Sequence, residues 1–314
     1  MIGTKHWDKI LVLLTFLISI FLFYSNPDQF VSDNSLFYPV VAENIWTTGV
    51  STFNGQIETY GYQPLWMLVS VLSVALSSFF ALDTLMVIGF FYHLFLAGAL
   101  IVVFKIAKRW EFFSAPVVAL IFIFMFISNG VLHNMESAMA LFFVLLSIYH
   151  ALSIKKLTPQ NMFILGLLVG LTFLSRLDLI FFGLITTFYT LFIFRKEVFQ
   201  KPLLLLFYFF GVVLVVLPYL LYNELHFGAL LPILGRLAEG FPTLSYAMEN
   251  IYPYGTVSLG IAVLEWAIAW TAKTKQAREI ILIMSLSTIF QIIYVAFFNI
   301  HRVGILLPDS LTLL

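Results

Sequence analysis

Long apolar stretches separated by short polar segments dominate the pattern along this chain. Nine of these stretches approach the roughly 17–25 residues that a membrane-crossing helix needs. They lie near residues 9–24, 84–104, 113–128, 137–154, 161–175, 177–194, 202–222, 256–272 and 279–299. A tenth run, at 65–82, is ambiguous because Ser70, Ser73, Ser77 and Ser78 interrupt it. The pattern predicts an all-α, polytopic transmembrane helix bundle with about nine spanning helices.

The positions of the basic residues decide how we interpret the ambiguous run. If it does not cross, 13 of the 16 Lys and Arg residues face one side, and Arg176, Arg236 and Arg302 face the other. Lys and Arg in short loops concentrate on the cytoplasmic side. We therefore expect a cytoplasmic N-terminus, a first external loop at 25–83 with interfacial helices, and a large external loop at 223–255. A true tenth crossing with a poorer charge pattern is the alternative.

Composition supports a membrane protein and excludes several other classes. Hydrophobic residues make up 61% of the chain and charged residues 10%, whereas soluble proteins carry about a quarter charged residues. The mean hydropathy is +1.02. A formal net charge of +0 leaves no electrostatic footprint for nucleic acid. The chain has no cysteine, so disulfides, thiolate metal sites and cysteine nucleophiles are excluded.

The N-terminal apolar run resembles a signal peptide in its position behind Lys5 and Lys9. It ends in Tyr-Ser-Asn-Pro rather than in a small-residue cleavage site. We therefore expect a retained membrane anchor, and a single membrane-embedded domain over residues 1–314.

The most informative stretch follows this first run, from Ser32 to Trp66. It contains Asp33, Glu43 and Glu58 but no Lys or Arg, and acidic groups beside a membrane are costly unless they serve a function. The stretch contains, in order, the pair Asp33-Asn34, the segment YPVVAEN, the turn GVSTFNG and the box ETYGYQPLW.

This order of motifs resembles the first external loop of GT-C glycosyltransferases, which take sugars from polyprenyl-phosphate carriers. Asn34 stands where a second acid is usual, and Tyr60 and Gln63 stand where the box usually has Asn and His. The segments 134–138, 166–178 and 218–236 extend the resemblance. It implies an inverting glycosyltransferase in a bacterial inner membrane. Its acceptor, on the external face, would be a glycan, a glycolipid or a protein.

Asp33 is the first candidate catalytic residue. Glycosyl transfer needs a base at the acceptor hydroxyl, and a carboxylate can serve. The resemblance implies that Asp33 is this base and that Asn34 binds substrate beside it. The alternative is that Asp33 caps a helix predicted over Leu36 to Trp46. The two roles are compatible.

Glu136 is the second candidate catalytic residue, at the outer start of a predicted helix. The resemblance implies that it orients the acceptor or a metal ion. The alternative is that its charge compensates the helix dipole in the first turn. No cofactor is predicted outright. A divalent metal ion is neither predicted nor excluded, because one Asp beside an Asn supplies few ligands for it.

Two external arginines are candidates for holding the donor's leaving phosphate, which a guanidinium binds through two parallel hydrogen bonds. Arg236 has no acid nearer than Glu239, so it is predicted as a donor ligand. Arg176 is a second candidate, although an ion pair with Asp178 is the preferred interpretation. His226 is a third.

Glu58, Tyr62 and Gln63 belong to the box, and the resemblance implies that they contact the substrate. The alternative is that Gly61 and Pro64 only shape the approach to the next helix.

Two rival functions are a flippase or transporter for lipid-linked sugars, and a non-catalytic or truncated relative. A transporter places charged partners at mid-membrane between broken helices, whereas the acids here gather at one predicted surface. Enzymes of this kind usually extend well beyond this length, whereas this chain ends in PDSLTLL, so we expect a short or truncated chain.

Overall fold

The computed structural model describes residues 7–25, 33–110, 135–230 and 275–298. These ranges form an all-helical structure, and the single strand-like pairing described is a bridge between Thr52 and Glu58. The predicted all-α class is confirmed. The helices are α1 (Trp7–Ser25), α2 (Asp33–Thr48), α3 (Pro64–Phe80), α4 (Thr84–Trp110), α5 (Ser137–Ser153), α6 (Pro159–Ser175), α7 (Ile180–Ile193), α8 (Arg195–Gln200), α9 (Leu204–Phe227) and α10 (Lys275–Phe298). A 3₁₀ turn at Leu177–Leu179 joins α6 to α7.

The observed helices follow the predicted apolar runs closely. α5 begins at the predicted residue, Ser137, and α6 ends at the predicted residue, Ser175. The helix predicted over Leu36 to Trp46 is present as α2 and is slightly longer at both ends. The runs at 113–128 and 256–272 lie outside the described residues.

Two described helices are long and apolar enough to cross a membrane, Thr84–Ile106 within α4 and Leu204–Phe227, which is α9. The other apolar helical stretches found in the described ranges, some of them parts of longer helices such as α1 and α10, have 10–17 residues. A helix of that upper length is about 25 Å long, less than the roughly 30 Å of a bilayer's hydrocarbon core. A bundle of nine spanning helices is therefore not confirmed, and two such helices are by themselves a weak indication of membrane association.

α4 and α5 run in the same direction. The Tyr92 hydroxyl lies beside Ser137 at the start of α5. One to two turns further along both helices, the ring of Phe95 packs against Phe142 and Phe143, with centroid distances of 5.9 and 6.1 Å. Both helices therefore begin at the same end of the bundle.

α6 and α9 also run in the same direction, and they approach through glycine. A Cβ on Gly166 would overlap the backbone oxygen of Tyr208, and one on Gly211 would overlap the backbone oxygen of Phe163. One turn later, a Cβ on Gly170 would meet side chains of α9. Small residues spaced by four, as at Gly166 and Gly170, permit the close backbone contact that is common between helices packed in membranes.

The helix directions give the bundle two chemically different ends. The end at which α5 begins and α6 ends is called the site end. The opposite end is called the basic end, because the described lysines lie toward it. There, the Leu157 N–H donates to Glu197 at 3.1 Å and the Tyr189 hydroxyl donates to Glu279 at 2.7 Å. Among the described Lys and Arg residues, Arg176 is the one at the site end.

The outer surface of α9 is apolar. Large side chains exposed along it include Leu206 (61%), Phe207, Phe209, Phe210, Leu214, Leu217 and Leu221. A soluble helix buries such residues and exposes polar ones. This surface therefore favours a membrane environment.

α3 shows the same inverted arrangement. Its serines Ser70, Ser73 and Ser77 are buried, whereas Leu68 and Phe79 are 65% and 81% exposed. In the sequence, these serines are what makes the run ambiguous as a membrane-crossing helix. Three of the four supply no polar outer surface, because they face the rest of the bundle.

Candidate functional site

Glu136 is a buried carboxylate at the site end, and only 7% of its side chain is exposed. It occupies the position just before α5, where its side chain makes no capping hydrogen bond to the helix. Instead, its Oε2 accepts a hydrogen bond of 3.0 Å from the Tyr38 hydroxyl. Its Oε1 lies 3.9 Å from Nη1 of Arg176. A buried charge needs partners of this kind, because leaving water without them is costly.

Tyr38 connects α2 to two other segments. Its hydroxyl oxygen accepts a hydrogen bond from the Gln63 backbone N–H at 3.2 Å, while its proton goes to Glu136. The Gln63 side chain continues the chain of bonds, since its Oε1 accepts from the Leu177 backbone N–H at 3.0 Å. The polar contacts thus extend from α5 through α2 and the box to the turn after α6.

Arg176 forms the ion pair with Asp178 that the sequence favours. Its Nε and Nη2 donate to Oδ1 and Oδ2 of Asp178, both at 3.0 Å. Burial opposes the charged guanidinium, but the carboxylates of Asp178 and then Glu136 outweigh this and raise the pKa of Arg176 above its ordinary value. With 39% of its side chain exposed, Arg176 is open on one side but is already bound to a carboxylate.

These contacts form a closed loop, because Leu177 follows Arg176 in the chain. We call the set Tyr38, Gln63, Glu136, Arg176 and Asp178 the polar ring. Three of its members were predicted as site residues, and Asp178 was predicted as the partner of Arg176. Tyr38 was not assigned a role, although it opens the segment YPVVAEN that carries part of the resemblance. An isolated tyrosine in an apolar helix gives no further signal.

The polar ring lies inside the bundle rather than at the outermost ends of its longest helices. α4 begins eight residues before Tyr92, the residue level with the start of α5, and eight residues span about 12 Å along a helix. Gly170 faces Val215 and Val216, so α9 continues about two turns past the end of α6. The ring is therefore roughly 11 Å inside the ends of the two longest apolar helices.

The segment between α2 and α3 is a short hairpin held by one side chain from α2 and one from its own first arm. Asn44 of α2 donates to the Thr52 carbonyl at 2.8 Å, and the Ser51 hydroxyl donates to the Thr59 carbonyl at 2.6 Å. Gly49 and Gly55 have φ values of +75°, which other residues adopt only with strain. The segment GVSTFNG therefore turns because its two glycines adopt a backbone conformation that other residues avoid.

A second group at the site end is mainly aromatic. The ring of Tyr60 stacks on Phe227 with a centroid distance of 4.1 Å, and His226 stacks on Tyr222 at 4.3 Å. Glu58 lies close enough to Tyr222 to interact electrostatically. The predicted residues Glu58 and His226 therefore come together around Tyr222.

Tyr62 lies between the aromatic group and the hairpin. Its hydroxyl is 2.9 Å from the Ser51 hydroxyl, and its side chain is buried. Burial, opposed in part by the bond to Ser51, raises the pKa of Tyr62 to about 12. Its hydroxyl is therefore protonated at neutral pH.

The remaining candidates are only partly described. α2 begins at Asp33, so this residue is the first of the helix rather than the residue that precedes it. The side chains of Asp33 and Asn34, and the whole of Arg236, lie outside the described residues. In the ranges that are described, no group of three or more His, Asp or Glu side chains gathers around a common point.

Comparison with known proteins finds no match among family models, curated proteins or solved structures. The function therefore has to be argued from the residues themselves.

Proposed function

We propose that the chain is a multi-pass membrane glycosyltransferase of GT-C type. It would transfer a sugar from a polyprenyl-phosphate carrier to a glycan, glycolipid or protein acceptor. Its N-terminus would lie in the cytoplasm and its site end would face outward, across a bacterial inner membrane. The observation that carries the proposal is the polar ring.

The ring supports the proposal because its members come from three segments on which the resemblance rests. Gln63 belongs to the box, Glu136 to the segment 134–138, and Arg176 to the end of the segment 166–178. They are far apart in the chain, and direct or bridged hydrogen bonds connect them in the structure. Segments that resemble an active site are expected to meet in this way if they form one.

The distribution of charge supports the orientation. The described lysines lie toward the basic end, which fits the cytoplasmic preference of Lys and Arg. The site end carries Glu58, Asp83, Glu136 and Asp178, with Arg176 as its described basic residue. An enzyme that meets its donor at the outer surface needs its carboxylates at that end.

The proposed reaction assigns a role to three of the candidates. Asp33 accepts the proton of the acceptor hydroxyl as that oxygen attacks the anomeric carbon. The bond from this carbon to the phosphate oxygen breaks, and polyprenyl phosphate leaves with the electron pair. Attack opposite the leaving group inverts the anomeric configuration. Arg236 binds the phosphate, and Glu136 orients the acceptor.

A reconstituted transfer assay tests this function. The purified protein in liposomes is given a polyprenyl-phosphate sugar that carries a radiolabel in the sugar, and the label transferred to a mixture of membrane glycans and glycolipids is measured. Transfer with stoichiometric release of polyprenyl phosphate supports the proposal. Movement of the intact labelled lipid between leaflets, without cleavage, supports the transporter instead. Neither activity, in protein shown to be folded, would count against both.

Cysteine labelling tests the orientation, and the absence of native cysteine makes the background clean. We expect an impermeant thiol reagent to label Asn54→Cys and Glu224→Cys in intact cells, because both positions are exposed at the site end. Lys156→Cys, exposed at the basic end, should react only after the membrane is opened. Labelling of Lys156→Cys in intact cells would reverse the proposed orientation.

A further inference from the structure

We propose that Tyr38 is a positioning residue, which holds the Glu136 carboxylate in place and thereby ties α2, the helix that begins at Asp33, to the start of α5. The contacts that support this role are independent of the reaction. Its consequence for sugar transfer rests on the proposed function.

The direction of the hydrogen bonds around Tyr38 is determined by chemistry. A backbone N–H can only donate, so the Gln63 N–H must use a lone pair of the Tyr38 oxygen. The single hydroxyl proton is then available to Glu136, whose ionised carboxylate can only accept. Tyr38 is 4% exposed, which leaves little room for water to replace either bond. Its hydroxyl is therefore held as a donor aimed at Glu136.

Glu136 depends mainly on the Tyr38 hydroxyl, because its contact with Arg176 is long. Arg176 directs two of its nitrogens to Asp178 at 3.0 Å and approaches Glu136 only at 3.9 Å. Hydrogen bonds to charged groups are stronger than those between neutral groups, and they weaken steeply with distance. Tyr38 thus provides the shortest described contact to the Glu136 carboxylate.

Within the described residues, the charged and titratable groups around Glu136 come from three parts of the structure. They are Tyr38 on α2, Arg176 and Asp178 in the turn after α6, and Tyr92 on α4, which lies beside Ser137. Burial, reinforced by the negative charge of Glu136, raises the pKa of Tyr38 well above its ordinary value. The phenol therefore keeps its proton at neutral pH and remains a hydrogen-bond donor.

Removal of the Tyr38 hydroxyl should change the bonding of the Glu136 carboxylate. Tyr38→Phe preserves the ring but leaves Oε2 of Glu136 without its donor. Charge-assisted hydrogen bonds are among the strong ones. The loss of this bond should therefore shift the carboxylate stretching bands of Glu136.

Infrared spectroscopy at one neutral pH tests this step without any assay of transfer. The carboxylate stretches of Glu136 are identified as the bands that Glu136→Gln removes. We expect these bands to shift in Tyr38→Phe. With 3-fluorotyrosine at position 38, a stronger donor of nearly the same shape, they should shift in the opposite direction. Identical bands in all three proteins would overturn the proposal, and the fluorinated protein answers the question if Tyr38→Phe does not fold.

A double-mutant cycle tests the consequence for transfer. We expect Tyr38→Phe to lower kcat by about 10- to 100-fold, the scale of one hydrogen bond to a charge, with the KM for the lipid-linked donor nearly unchanged. In the Glu136→Gln background the same change should cost less than about twofold, because Tyr38 acts through Glu136. Equal losses in both backgrounds would contradict this coupling.

Tyr208→Phe is the matched control. Its hydroxyl is also buried and is 2.8 Å from the Thr187 hydroxyl, but it lies away from the polar ring. It should lower the thermal stability as Tyr38→Phe does, and leave kcat and the infrared bands unchanged. If the unmodified protein shows no transfer, the proposed function fails, while the infrared spectra still decide the role of Tyr38.

Discussion

We expect Asp33→Asn to abolish sugar transfer while leaving the fold and donor binding close to those of the unmodified protein. α2 begins at Asp33, and Asn has nearly the same shape as Asp, so the helix start should lose only the modest stabilisation that a negative charge provides there. The substitution therefore preserves the helix and removes only the negative charge and the ability to accept a proton. A general base contributes about 10²–10⁴-fold to a rate, so the barrier should rise by roughly 3–5 kcal/mol.

The neighbouring substitution Asn34→Ala is the control for this prediction. It alters the same first turn of α2 but keeps the carboxylate, so it should reduce the transfer rate far less. Both rates are measured with purified protein in liposomes, alongside the affinity for polyprenyl phosphate. A near-normal rate in Asp33→Asn would remove the catalytic assignment and reduce Asp33 to a residue that starts a helix.

We expect Gly166→Leu to prevent stable packing of α6 against α9. Any Cβ at this position would overlap the backbone oxygen of Tyr208, and a backbone cannot rotate aside as a side chain does. In an unobstructed helix, replacing Gly by Ala is favourable by roughly 0.5–1 kcal/mol. Here we expect even Gly166→Ala to lower the free energy of unfolding by about 1–3 kcal/mol, the usual cost of overpacking, and Gly166→Leu to lower it further.

Thermal unfolding in detergent measures this effect, with Gly61→Ala as the comparison. A Cβ on Gly61 would have no neighbouring atom within 4 Å, so this variant should unfold near the temperature of the unmodified protein. An unchanged unfolding temperature in Gly166→Leu would show that α6 and α9 do not pack through this glycine.

Much of the secondary structure was predictable because it depends on local sequence. Runs of apolar residues of helical length predicted α5 and α6 to within two residues at each end, and they predicted the start of α4 but not its six C-terminal residues. The pairing of Arg176 with Asp178 was also accessible, since the two are separated by one residue. The glycines of the turn GVSTFNG indicated a backbone that bends where other residues are strained.

Membrane placement was harder to predict, because hydropathy along a chain does not say which side of a helix faces inward. The serines of α3 made the run at 65–82 look weakly apolar. In the structure Ser70, Ser73 and Ser77 pack against the bundle and leave Leu68 and Phe79 outside. Their direction depends on how α3 packs with its neighbouring helices, which no window of sequence contains.

The sequence alone determined the helices, the apolar character of the chain and the acidic stretch that holds Asp33, Glu58 and Gln63. Only the tertiary structure decided which of these polar residues meet. Tyr38 and Glu136 are 98 positions apart, and Leu177 and Gln63 are 114 apart. Such contacts form because helices that share one apolar core bring their ends together. A carboxylate buried at those ends needs hydrogen-bond donors, and these are the side chains that helix packing places beside it. Tyr38 is that donor for Glu136, and its role follows from packing rather than from any pattern in its neighbours.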